Sequence, residues 1–167
     1  MTSAPIRTAV VPVAEIFGLR HPVLRPGLPA EAAVYPEDGD PRTFHVAAYD
    51  GAGAVRACVT FFPDPFPHPA PGTDAAWRFR GMGSHPDVRG LGYGAAVLRA
   101  GLAEAAARGA GLVWCNGRTS ARGFYERLGF TATGEEFVLA PSGPHHVFSL
   151  PLPHPRGRGD GTVGGPP

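Results

Sequence analysis

Three glycines in five residues, in Val88-Arg89-Gly90-Leu91-Gly92-Tyr93-Gly94, stand between an apolar strand-like run and an alanine-rich stretch of helical character. No other feature constrains the fold so tightly. Glycine reaches left-handed backbone without a Cβ penalty, so the chain can turn sharply here with its amides facing outward. A helix starting near Gly92 adds its unpaired N–H groups and the positive end of its dipole at the same place. A strand passing straight into a helix through such a turn predicts an α/β chain whose turn cradles an anion such as a diphosphate. The bland alternative is a turn shaped by glycine and nothing more.

Composition narrows the guest. At 167 residues and 43 % apolar content the chain predicts one domain with a full core. The net charge of +1 is spread without a basic block, which argues against nucleic acid and against a polybasic membrane anchor and leaves a small partner. All 15 cationic residues are arginine, so a lysine Schiff base and a lysine-bearing phosphate loop are excluded by residue type. Cys58 and Cys115 fall in strand-like runs with no paired-cysteine motif, which predicts two buried, reduced thiols and a cytoplasmic protein. Pro12 and Glu15 interrupt the apolar stretch Ala9 to Leu19, so neither a signal peptide nor a membrane span is expected. Seven histidines and two cysteines show no ligand-type spacing, and no metal is expected.

The periodicities predict a strand at Ile6 to Val11, a short helix at Val13 to Arg20, and loop with a helical turn from Pro22 to Pro41. Strands at Thr43 to Tyr49 and Ala54 to Phe62 flank a hairpin connection at Asp50-Gly51-Ala52-Gly53. After a proline-rich loop come a strand at Ala76 to Ser84, the glycine turn, a helix from Gly92 to about Arg108, and a strand at Leu112 to Asn116. Thr119 or Ser120 is positioned to cap a second helix that Gly129 stops. Strands at Glu135 to Leu139 and His145 to Leu150 complete the pattern, and residues 152–167, rich in proline, glycine and charge, read as a disordered tail behind a domain of residues 1–151.

Taken together, RGMGSHPDVRGLGYGAA, LVWCNGR, SARGFYERLGF and GPHHVFSL resemble the GNAT superfamily of acyl-CoA-dependent N-acyltransferases, most strongly from Trp77 to Leu150. Arg89 to Gly94 matches the family's R/Q-x-x-G-x-G/A element, and LRHPVLRPG with the HVAAYDG strand resembles the N-terminal half of some bacterial-type members. The resemblance implies a single-domain mixed, mostly antiparallel sheet flanked by helices. It further implies N-acetyl transfer from acetyl-CoA to a primary amine by direct attack. The coenzyme's diphosphate would sit on the amides of Arg89, Gly90, Leu91, Gly92, Tyr93 and Gly94, and its pantetheine arm would lie like an added strand along Met82, Gly83 and Ser84. Gly83 would permit a bulge or a close approach there. Asn116 matches a position that often bonds the arm, though a turn or capping role suits it as well. Tyr125 matches the family's general acid toward the departing thiolate; otherwise it packs one face of its helix. A thiol near ~8.5 and a phenol near ~10 differ by about 1.5 units, or ~2 kcal/mol, a proton transfer that a local shift can level.

The base is the open role. A substrate ammonium with pKa about 10 is only ~0.1 % neutral at pH 7, worth ~4 kcal/mol of barrier. Where some family members carry a glutamate on the strand before the turn, this chain has Arg78 and Arg80, with Asp74 ahead of the strand. His45, Glu135, Glu136, His145, His146 or a water chain are the alternatives; for His145 and His146 the simpler expectation is an edge position on the last strand. Arg80, expected on the face of Met82 and Ser84, is a solvated or structural arginine or else binds an acidic group of the substrate. The acceptor is a small-molecule or peptide amine, and a homodimer remains open. A dinucleotide site is disfavoured because the strand after the turn ends in Cys115-Asn116 with no acidic residue. The remaining rival is a non-catalytic acyl-CoA-binding sensor or structural domain.

Overall fold

The computed structural model describes residues 5–153, so most of the expected tail lies outside the described residues. Seven strands form one sheet: β1 (Arg7–Val11), β2 (Phe44–Tyr49), β3 (Val55–Pro63), β4 (Ala76–Ser84), β5 (Leu112–Arg118), β6 (Thr131–Leu139) and β7 (Gly143–Pro151). Their order is β1-β2-β3-β4-β5-β7-β6. Only β4–β5 is parallel; every other neighbouring pair is antiparallel. This is the mixed, mostly antiparallel sheet that the family resemblance implies. Three helices cover it: α1 (Val13–Leu24), α2 (Tyr93–Ala107) and α3 (Arg122–Arg127). Among the described residues no helix is long and apolar enough to cross a membrane.

Alternation along the central strands sorts their side chains between two layers. Phe44, Val46, Val59 and Phe61 meet Val97, Leu98 and Ala105 of α2 in the main core. Ala47, Tyr49 and Cys58 meet Ile16 and Leu19 of α1 on the other face. Both cysteines are free and buried. Gly101 has no room for a Cβ because the Phe61 ring lies directly against it, which lets α2 approach β3 closely.

Several boundaries differ from expectation for local reasons. Helix α1 runs past Pro22 to Leu24 rather than stopping at Arg20. The last turn is held by packing, since Val23 and Leu24 lie about where a Cβ on Gly83 would sit, 3.1 Å away; tertiary contact outweighs the proline penalty. Neither Thr119 nor Ser120 caps α3: a 3-10 turn at Thr119–Ala121 precedes it, and its N-cap is Ala121 with no side-chain bond. The Thr119 hydroxyl instead donates to Glu136 Oε2 at 2.9 Å and lies 3.0 Å from His146 Nδ1. Strand β6 starts at Thr131, and its register shifts between Thr133 and Phe137. Strand β7 lies between β5 and β6, so His145 and His146 occupy an interior strand, not an edge.

Candidate functional site

The parallel partners β4 and β5 stay together for only three pairs, Ala76–Leu112, Trp77–Val113 and Arg78–Trp114. Beyond Arg78, β4 continues against β3 as far as Ser84, and β5 continues against β7 as far as Arg118. The sheet therefore opens between them, and among the described residues no strand lies beside the β4 edge that faces the opening. A bulge in β4 accompanies the split: Cys58 pairs with Gly83 but Thr60 pairs with Arg80, so Val59 alone opposes Gly81 and Met82. Gly81 has φ +65°, and a Cβ there would lie 2.7 Å from the Tyr35 ring. Only glycine fits.

The bulge thus falls at Gly81, while Gly83 supplies the close approach, against α1. It also reverses the alternation of β4. Met82 packs with the α2-side core and the Ser84 hydroxyl approaches Gly94, whereas Gly83 faces Val23 and Leu24, and Arg80 lies over Tyr35. The expectation that Arg80 shares a face with Met82 and Ser84 fails because one extra residue intervenes.

A cavity of about 560 Å³ fills the opening. Met82, Gly83, Ser84, Arg89, Gly94, Asn116 and Tyr125, from five separate elements and turns, all line it. Gly90, Leu91, Gly92 and Tyr93 are not among its lining residues; they form the stretch of chain between Arg89 and Gly94, which are. There Arg89 N–H donates to Pro86 O at 3.5 Å and Leu91 N–H to Val88 O at 3.1 Å, so these two amides already have acceptors. Gly90 and Gly92 take φ of +79° and +91°, and the first helical bond of α2 runs from Ala96 N–H to Gly92 O at 3.0 Å. The amides of Gly90, Gly92, Tyr93 and Gly94 are left without a backbone acceptor, the arrangement that suits an anion at a helix start.

Tyr125 reaches the cavity from α3 with only 6 % of its surface exposed. Its ring stacks on Phe148 with centroids 4.8 Å apart. Gly117 makes room for that stack, since a Cβ there would lie 2.6 Å from Tyr125 and 2.7 Å from Phe148. Burial, reinforced by the neighbouring Cys115, pushes the Tyr125 phenol well above its ordinary pKa. Burial also pushes the Cys115 thiol up to about 12. Both groups hold their protons at neutral pH.

The opposite wall is built from side chains. Arg20, fully buried, donates to both oxygens of Asp38 at 2.7 and 3.1 Å, to Thr60 Oγ1 at 2.6 Å and to Ala33 O at 3.0 Å. Burial alone would raise the Asp38 pKa, but the hydrogen bonds from Arg20 and from the Tyr35 amide prevail and lower it. The Tyr35 ring lies between two guanidinium groups, Arg20 at 4.1 Å and Arg80 at 4.0 Å. Sequence reasoning missed this network. Its members come from α1, the loop, β3 and β4, and no spacing along the chain announces them.

Of the five side chains considered as base, His145 alone lines the cavity. Its Nδ1 lies 2.7 Å from Gly143 O; a carbonyl only accepts, so Nδ1 carries the proton and Nε2 of the neutral ring keeps a lone pair. His45 is buried at 2.8 Å from Thr60 Oγ1, and desolvation lowers its pKa. Glu135 and Glu136 are exposed on β6, and His146 packs beside Phe148.

The sequence profile of the Acetyltransferase (GNAT) family matches residues 12–130. The Bacillus subtilis (strain 168) protein named Uncharacterized N-acetyltransferase YitI is 29 % identical over 144 residues, covering 86 % of this chain and 94 % of that one. Among solved structures, a Lactobacillus plantarum protein superposes with TM-score 0.72 at 21 % identity, covering 89 % of this chain and 99 % of its own. A GCN5-related N-acetyltransferase from Kribbella flavida does so with TM-score 0.65 at 22 % identity, covering 88 % and 98 %. These two likenesses concern the fold. With a family profile spanning most of the chain, and the split strands and glycine turn in the order that the family resemblance implies, the chain belongs to the GNAT family of acetyltransferases.

Proposed function

We propose that this chain moves an acetyl group from acetyl-CoA to the primary amine of a small-molecule or peptide acceptor by direct attack. The observation that carries the reading is the continuity of the opened β4–β5 edge with the unpaired amides of the glycine turn. An extended chain bearing two amides suits the first, and a diphosphate suits the second. Acetyl-CoA supplies an activated acyl group on a good leaving thiolate. The protein supplies position, charge stabilisation and two proton transfers.

On this reading the free amides of Gly90, Gly92, Tyr93 and Gly94 hold phosphate oxygens, with Arg89 beside them, and Asn116 bonds the pantetheine arm. The β4 amides around Met82 and Gly83 polarise the thioester carbonyl. Tyr125 Oη–H protonates the departing sulfur. Burial raises the phenol pKa, but the same dry surroundings raise that of the thiolate, so the gap between them governs the step. In water that gap is about 1.5 units, ~2 kcal/mol. Nε2 of His145 takes the proton from the attacking amine, which addresses the ~4 kcal/mol cost of finding a neutral amine at pH 7.

Titration calorimetry with acetyl-CoA, followed by thiol release across an amine panel, tests the proposal. Binding heat together with amine-dependent release supports it. Absence of heat overturns it, and heat without release from any amine makes the chain a binding domain instead.

A further inference from the structure

The charge of the cavity is lopsided. Arg25, Arg78, Arg80, Arg89 and Arg118 contribute to its lining and, among the described residues, no aspartate or glutamate does, in a chain whose formal net charge is only +1. Arg89 belongs to the phosphate turn. Arg25 follows Leu24 beside Gly83, and Arg118 ends β5, both toward the open end of the split. Arg78 and Arg80 stand apart from these. They lie at the closed end, where Arg78 still pairs with Trp114, and on the face of β4 away from Met82 and Ser84.

Both guanidinium groups are held in place by aromatic rings. Arg80 lies 4.0 Å over Tyr35, and Arg78 lies 5.1 Å over Trp114 and 5.8 Å from Phe62. Neither is satisfied as Arg20 is. Arg20 closes on Asp38 through two bonds of 2.7 and 3.1 Å in full burial. Arg80 touches Glu37, and Arg78 touches Asp64, each through one nitrogen at 3.4 Å. Their side chains remain 30 % and 23 % exposed. A guanidinium offers five donors, and a stacked one presents its free edge in a fixed plane, the geometry that suits a planar carboxylate.

We infer that Arg78 and Arg80 form a carboxylate subsite and that the acceptor is an amine carrying a carboxylate, such as an amino acid. The inference rests on the N-acetyl transfer proposed above and deepens it by naming the acceptor class. Arginines without lining carboxylates repel polycationic amines. An amino acid instead enters with its charges balanced, its carboxylate drawn to the arginine pair. The same positive surroundings favour the neutral form of its amine, the form that attacks.

The experiment compares kcat/KM, by thiol release, for free amino acids and their carboxamides as matched pairs. The carboxamide has the more readily deprotonated amine, so that bias runs against the inference. The best pair is expected to favour the acid at least ten-fold. Arg80→Gln should bring that ratio close to one, mainly through KM, while the heat of acetyl-CoA binding stays unchanged. Arg78→Gln, with melting temperatures for both variants, guards against a variant that fails to fold. An amide that matches or exceeds its acid, or an Arg80→Gln variant that slows both equally, overturns the subsite. Should the coenzyme give no heat, or no amine release thiol, the transfer reading fails by itself. Ligand-observed NMR of N-acetyl amino acids against their amides then decides the subsite: a preference for the acid that Arg80→Gln abolishes supports it, and no preference overturns it.

Discussion

The two walls of the cavity are made differently. The wall that runs from Met82 through the turn to Gly94 is backbone, contiguous in sequence, and depends on glycines at φ values that other residues resist. The wall that carries Tyr35, Arg78, Arg80 and His145 is side chain, gathered from the N-terminal loop, β4 and β7. On the proposed reading, the unpaired amides would meet features common to every acyl-CoA, and the stacked arginines would discriminate one acceptor from another. Changes in the first wall should therefore alter coenzyme affinity whatever the amine, and changes in the second should alter selectivity or stability and leave the coenzyme alone.

The largest test of that separation is Arg20→Met. It leaves Asp38, whose side chain is only 10 % exposed, without its cation, and unpairing a buried ion pair costs about 3–5 kcal/mol. Urea unfolding should show that loss, while each folded molecule binds acetyl-CoA as before. Replacing Asp38 by leucine in the same chain should recover much of it, because removing both charges is far less costly than removing one. A loss below about 1 kcal/mol would mean that surface-like solvation, not the pair, supports the Tyr35 wall. Next in size is Tyr125→Phe. Turnover should fall roughly 10²-fold, about 2.7 kcal/mol of barrier, with coenzyme heat little changed; an unchanged rate removes the phenol from the chemistry. His145→Gln should lower kcat/KM roughly 10²-fold with coenzyme heat little changed. An unchanged rate assigns the base elsewhere.

The same contrast explains what was legible in the sequence. The glycine turn, α2 and β4 could be read from local pattern because glycine spacing and helical periodicity are carried within a dozen residues; β4 spans Ala76–Ser84 as expected. Tyr125 was found through motif resemblance. Of the two roles open to Gly83, a bulge or a close approach, the structure shows the close approach, with Val23 and Leu24 3.1 Å from a Cβ there, while the bulge falls at Gly81, which no local pattern singles out. Plain alternation carried across that bulge put Arg80 on the wrong face. The Arg20–Asp38–Thr60 network was invisible, since partners 18 and 40 residues apart meet only after α1 packs on the sheet. His145 was among the candidates, but only the interior position of β7 and the Gly143 carbonyl distinguish it from His146.

A smaller effect is expected at the turn itself. Gly92→Ala places a Cβ at φ +91°, where an L-residue pays about 1–2 kcal/mol. Part of that cost should appear as acetyl-CoA affinity weakened about five- to ten-fold, the equivalent of ~1–1.4 kcal/mol. The acid-to-amide ratio should not move. If it does, the walls are coupled.

The smallest effect belongs to pH and probes the side-chain wall alone. His45 has a folded pKa below its ordinary 6.5, chiefly from desolvation, with Asp38 opposing that shift and Arg20 adding to it. Below 6.5 the unfolded chain takes up the proton before the folded one does, so stability falls with pH until the folded pKa is passed. The slope from one such group is at most about 1.4 kcal/mol per pH unit. Asp38, whose folded pKa is also lowered, adds its own loss further down, as pH falls from the ordinary 3.8 through the folded value. Urea unfolding at pH 7, 6 and 5 should show stability declining in the parent chain, and His45→Gln should flatten part of that decline by removing the group that titrates. An identical slope in the variant would place the decline on other groups and leave His45 as packing beside Thr60.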